Sequence, residues 1–164
     1  MRVYIPATLA MLQGLVADGV MQPLSGTAFA VTPALREAYA EGDEEELAEV
    51  AIGEAALASL RLLASEPGSD LPLRRAVVVA DTEANLRPDL DVPVVRVSGP
   101  VNLDQVAAVY VDNAAAEPAV AAAIAVIDDA DLGDEDAELT VGDAQDHDLA
   151  WYASQELPFL LELL

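Results

Sequence analysis

Apolar residues along this chain fall into two periods, and the switches between them outline the elements. Val3-Tyr4-Ile5 is a short run of strand formers and predicts a buried strand that Pro6 ends. Thr8 then offers an N-cap hydroxyl to a helix carrying Leu9, Leu12, Leu15 and Val16 on one face, with Gly19 as its stop. Residues 20–31 contain Pro23, Ser25 and Gly26 and read as a loop. Thr32-Pro33 is a second start signal, a capping hydroxyl followed by proline at the first helical position, for a helix running to about Ala40. Asp43, with Glu46 three residues on, marks the start of a long helix to about Ala64. Its first turn, Glu44-Glu45-Glu46, lies at the positive end of the helix dipole.

The second half opens with a loop from Ser65 to Pro72. Ala76-Val77-Val78-Val79-Ala80 is the clearest strand, β-branched in the manner of strands buried on both faces. Further strands are expected at Val92–Val97 and Ala107–Val111, followed by an Ala-rich helix over residues 114–127. The stretch 128–143 reads as an exposed acidic loop with one extra strand at Ala137–Val141. The chain closes on an apolar helix over about 144–163, kinked or restarted at Pro158. This order predicts an α+β fold, a mixed four- or five-stranded sheet packed with helices, in one domain spanning residues 1–164.

Charge narrows the function. Thirty Asp plus Glu stand against seven Arg, no Lys and one His, for a formal net charge of −23 on 164 residues. Such a surface repels phosphate, which argues against direct nucleic-acid binding and against anionic membranes. It attracts cations and basic partners. No run approaches the 18 apolar residues of a membrane span, and the first residues lack the apolar core of a signal peptide, so a cytoplasmic location is expected. The absence of cysteine removes disulfides, thiolate catalysis and Cys-ligated zinc.

Several chemistries are missing outright. A Ser-His-Asp arrangement would have to use His147, the only histidine, and no GxSxG turn presents a nucleophile. HExxH, GxGxxG and the lysine-containing phosphate loop are absent, and without lysine there is no Schiff base. The run from Asp128 to Glu138 suggests a calcium loop at first sight. With Gly133 at its sixth position, however, Ala130, Leu132 and Leu139 fall where ligands are needed.

What remains is weaker in specificity. Asp81 and Asp112 each end a predicted strand, where open α/β sheets bind ligands; together they would hold a divalent cation, and singly they would cap a turn or helix. Arg2, Arg74 and Arg75 precede strands. If those strands are parallel neighbours, the three guanidinium groups form an anion site; otherwise they offset local acidic charge. Trp151, Tyr152, Phe159 and Leu160 make the C-terminal segment unusually apolar, to be covered by the rest of the domain or by a second copy in a homodimer through the C-terminal helix.

With these segments laid out, the chain resembles a family of uncharacterised acidic actinobacterial proteins of about this length. The resemblance rests on MRVYIPATL, SGTAFAVTPALREAYAEGDEEEL, VRVSGPVNL, GDEDAEL and DHDLAWYASQELPFLLELL. It covers most of the chain and implies no activity and no functional residues. Two functions then stand side by side. One is a non-enzymatic interaction protein with a basic protein partner and no cofactor. The other is a metal-dependent or small-molecule-binding enzyme using Asp81 and Asp112, with the arginines steering an anionic substrate.

Overall fold

The computed structural model describes residues 1–66, 68 and 70–164. One sheet gathers strands from near both chain ends. Its strands are β1 (Arg2–Ala7), β3 (Thr27–Phe29), β4 (Ala76–Asp81), β5 (Ala84–Leu86), β6 (Val94–Val97), β8 (Val106–Val111) and β9 (Ala150–Ala153), in the order β5-β6-β3-β1-β4-β8-β9. Every pairing in it is antiparallel. A separate two-stranded ribbon joins β2 (Val20–Met21) to β7 (Val101–Asn102).

Alternation divides the sheet residues between two cores. Val3, Ile5, Val78, Val95 and Val109 face α1 (Leu9–Asp18) and α6 (Leu157–Glu162), which supply Leu9, Leu12, Leu15, Leu157 and Leu160. Tyr4, Phe29, Val77, Val79 and Val94 face the other way, against Ala51, Ala55 and Ala56 of α3 (Glu44–Ser65). Small side chains on that helix face let its backbone approach the sheet closely. Ser59 of α3 completes the approach: its buried hydroxyl donates to the Ala7 carbonyl (2.7 Å) and accepts from the Ala76 N–H (3.1 Å). The outer side of α3, at Leu60, packs on an α4 (Glu117–Asp131) and α5 (Glu135–Gln145) hairpin through Val120, Ala123, Ile127 and Val141.

The caps follow the sequence. Thr8 accepts from the Met11 N–H (3.3 Å), Thr32 from that of Leu35 at the start of α2 (Pro33–Ala38; 3.1 Å), and Asp43 from that of Glu46 (2.9 Å). Gly19 closes α1 with φ +72°. Gly26, entering β3 with φ +70°, is required on two counts, since a Cβ there would sit 2.8 Å from the Val97 carbonyl oxygen.

Four expectations are corrected. The sheet has seven strands, not four or five, because β3, β5 and β9 are only three or four residues long and too short to show alternation against loop composition; it is also not mixed, since every pair is antiparallel, a direction no local pattern specifies. Pro6 does not end β1; it lies opposite Val77, one residue from the strand's end and past the single β1–β3 pair, Tyr4↔Phe29. The acidic stretch 128–143 is the end of α4, a turn at Gly133 and most of α5. Ala137–Val141 is helical, with Ala137, Val141 and Ala144 forming its buried stripe. The helix expected over 144–163 is instead the end of α5, strand β9 and α6, which restarts at Leu157 with Pro158 in its first turn. The expected Ser65–Pro72 loop includes Pro67 and Ser69, which lie outside the described residues.

Candidate functional site

Antiparallel pairing decides where the chemistry-bearing residues meet. Arg2 and Asp81 are direct partners across β1 and β4. Arg2 Nε donates to Asp81 Oδ1 (3.1 Å) and Nη2 to Oδ2 (3.0 Å), with both side chains more than half exposed. The guanidinium hydrogen bonds hold the Asp81 carboxyl below the ordinary carboxylate range, and the carboxylate in turn raises Arg2.

The opposite end of β4 carries a second pair in a different setting. Arg75 stands just before β4 and Asp112 just after β8; because the strands run in opposite directions, the two meet. Arg75 Nε and Nη2 donate to Asp112 Oδ2 (2.9 Å) and Oδ1 (2.7 Å), and the Arg75 backbone N–H also reaches Oδ2 (2.8 Å). The Asp112 N–H returns a bond to the Arg75 carbonyl (3.1 Å). Arg75 Nη2 extends further to the carbonyl of His147 (2.7 Å). Side-chain exposure is 3% for Arg75 and 0% for Asp112.

The sequence-based site residues are therefore redistributed. Asp81 and Asp112 lie at opposite ends of the sheet, each against a guanidinium, so the structure does not bring them together. Asp112 caps no helix. Arg2 is likewise separated from Arg74 and Arg75, because β1 and β4 are neighbours but antiparallel; Arg74 turns to Glu117 in the first turn of α4 (Nη2 to Oε2, 3.0 Å). Among the described residues, six of the seven arginines are in ion pairs, the others being Arg36–Glu44, Arg61–Asp131 and Arg87–Asp89. Arg96 on β6 has none, and its buried Nε finds no hydrogen-bond acceptor. No group of three or more His, Asp and Glu among the described residues is arranged to hold a metal ion.

Of the aromatic segment, Leu160 is core, 8% exposed, and Tyr152 is half-buried against the same core. Trp151 on β9 (57% exposed) and Phe159 on α6 (68%) remain at the surface. Of the C-terminal helix expected to form a homodimer surface, the six-residue α6 exposes Phe159, and Leu163 is exposed just past its end.

The buried pair adjoins a groove of about 510 Å³ that sequence reasoning missed. Glu49, Ile52 and Gly53 of α3 form one wall, and His147, Asp148 and Leu149, between α5 and β9, form the other. Tyr110 of β8 and Arg75 lie at its base. The Arg75–His147 bond ties the second wall to the sheet. Among the described residues, the side chains of Glu49, His147 and Asp148 have no hydrogen-bond or ion-pair partner. The groove's only hint in the sequence was His147 flanked by Asp146 and Asp148. Its other wall comes from a helix about a hundred residues away.

Comparison with known proteins shows the family: the chain belongs to DUF6912, a family of unknown function, which matches residues 1–161. No curated protein and no solved structure matches it. No helix among the described residues is long and apolar enough to cross a membrane.

Proposed function

We propose that this DUF6912 protein is a non-enzymatic cytoplasmic binding protein whose acidic surface engages a basic protein partner. The observation that carries this reading is where unpaired carboxylates stand. Six of the thirty acids neutralise an arginine, one each, and most of the others have no cation within the described residues. Asp128 and Asp129 lie exposed in the last turn of α4. That is the negative end of the helix dipole, where an acid is unfavourable by roughly 0.3–1 kcal/mol. Helix stability does not account for them; solvation or an external cation does. Leu132 (87% exposed) and Leu139 (71%) stand among these acids, and solvation gives no reason for exposed leucines. Acidic side chains surrounding apolar ones suit a basic, amphipathic segment of another protein, steered in by the field of the whole surface.

The test compares the wild-type chain with Asp128→Asn/Asp129→Asn in capture of partners from native cytosol at low and moderate salt. A basic partner lost as salt rises, and bound less by the double variant, supports the reading. Partners retained equally at both salt concentrations overturn it. Folding does not confound the comparison, because removing two acids from that end of α4 leaves its stability equal or higher.

A further inference from the structure

We infer that the groove between α3 and the α5–β9 connection seats the guanidinium group of an arginine from the partner. This inference rests on the partner being basic and goes on to name the group recognised and its site. Three observations support it. First, each wall presents an exposed carboxylate with no partner among the described residues, Glu49 from the helix and Asp148 from the connection. The one cation at the base, Arg75, is neutralised by Asp112 at 2.7 Å, so the cleft is net negative and suits a cation. Second, an aromatic ring lines the groove. That ring is Tyr110; Trp151 does not line the groove but is the direct partner of Tyr110 across β8 and β9, so it stands beside the groove on the same sheet face, 57% exposed. A planar cation stacks on the Tyr110 ring while its edge donates to carboxylates, a combination that suits guanidinium better than ammonium. Third, the site is held in shape. Arg75 Nη2 fixes the His147 carbonyl at 2.7 Å, so the wall bearing Asp148 is anchored to the sheet before any ligand arrives. At Gly53 a side chain would meet nothing within 4 Å, so the groove is open above α3 at that point.

Trp151 is the only tryptophan of the chain, and its fluorescence reads this face directly. The experiment titrates the full chain with N-acetyl-arginine amide at constant ionic strength. N-acetyl-lysine amide and N-acetyl-glutamine amide serve as comparisons, and a short arginine-containing basic peptide as the partner-like probe. The expected result is a saturable change with arginine, weaker with lysine and absent with glutamine, with the peptide binding tighter than the single residue. In Glu49→Gln/Asp148→Asn, which alters only exposed side chains, the arginine affinity should fall about tenfold or more. Gly53→Leu, placed in open space, should also weaken it. No saturable response, or the same affinity in the double variant with its melting temperature unchanged, overturns the inference. The two readings fail separately. If the wild type captures no basic partner, the acidic-binding reading falls. If the Glu49→Gln/Asp148→Asn variant captures that partner as well as wild type does, only the groove assignment falls.

Discussion

The two ends of β4 carry arginine–aspartate pairs of nearly the same geometry and very different standing. At one end Arg2 and Asp81 meet through two hydrogen bonds of 3.0–3.1 Å, with side-chain exposures of 53% and 57%. At the other, Arg75 and Asp112 meet at 2.7–2.9 Å with 3% and 0%. Water screens the first pair, and exposed pairs contribute about 0–1 kcal/mol. The second is dry, so its members depend on each other, and removing one leaves an uncompensated charge in the interior. Contact geometry alone does not rank ion pairs; the surroundings do. The buried pair also has partners the exposed one lacks. It joins the Arg75 backbone, the end of β8 and the His147 carbonyl into one network that shapes the groove wall.

The sharpest way to break this contrast is Asp112→Ala. It should cost about 3–5 kcal/mol, lowering the melting temperature by roughly 10 °C for a chain of this length. Arg75→Met/Asp112→Leu should recover most of that loss, because two apolar side chains replace two buried charges. Denaturant unfolding of the single and double variants checks both, and a double variant as damaged as the single would contradict the account. Ser59→Ala should come next, at about 1–3 kcal/mol, since it leaves the Ala76 N–H and the Ala7 carbonyl without their shared partner.

Arg2→Ala should have the smallest effect, within about 1 kcal/mol at neutral pH. The exposed pair should nonetheless leave a signature in acid. Asp81 has a folded-state pKa below its unfolded value, chiefly through the Arg2 hydrogen bonds. Its contribution is therefore fully present above the ordinary carboxylate pKa and is lost as pH falls through the lowered one. Stability measured from neutral pH downward should fall slightly less steeply in Asp81→Asn than in wild type. Equal slopes would mean that the pair contributes nothing measurable.

Legibility in the sequence followed the length and locality of each signal. Thr8, Thr32 and Asp43 are legible as caps, and each accepts a backbone N–H three residues on, because a cap is a contact made within one turn. The apolar run Ala76–Ala80 is legible as a doubly buried strand, and its residues divide between two cores. The hairpin of α4 and α5 was missed because ten acids over residues 128–148 outweighed a buried stripe of only Ala137, Val141 and Ala144. Strand β9 was missed because Trp151-Tyr152 sits between two helical segments, and its partner strand lies some forty residues earlier.

By itself the sequence determined an α+β chain of strongly negative charge, the starts of its first three helices, its longer strands, and the absence of thiol and lysine chemistry. Each of these depends on composition or on residues a few positions apart. Only the tertiary structure decided that β1, β4 and β8 run antiparallel. That one choice separates Asp81 from Asp112 and Arg2 from Arg75, and turns a possible metal pair and a possible anion cluster into two ion pairs. Strand direction is set by how the whole chain covers both sheet faces with helices, and no local pattern in the sequence specifies it.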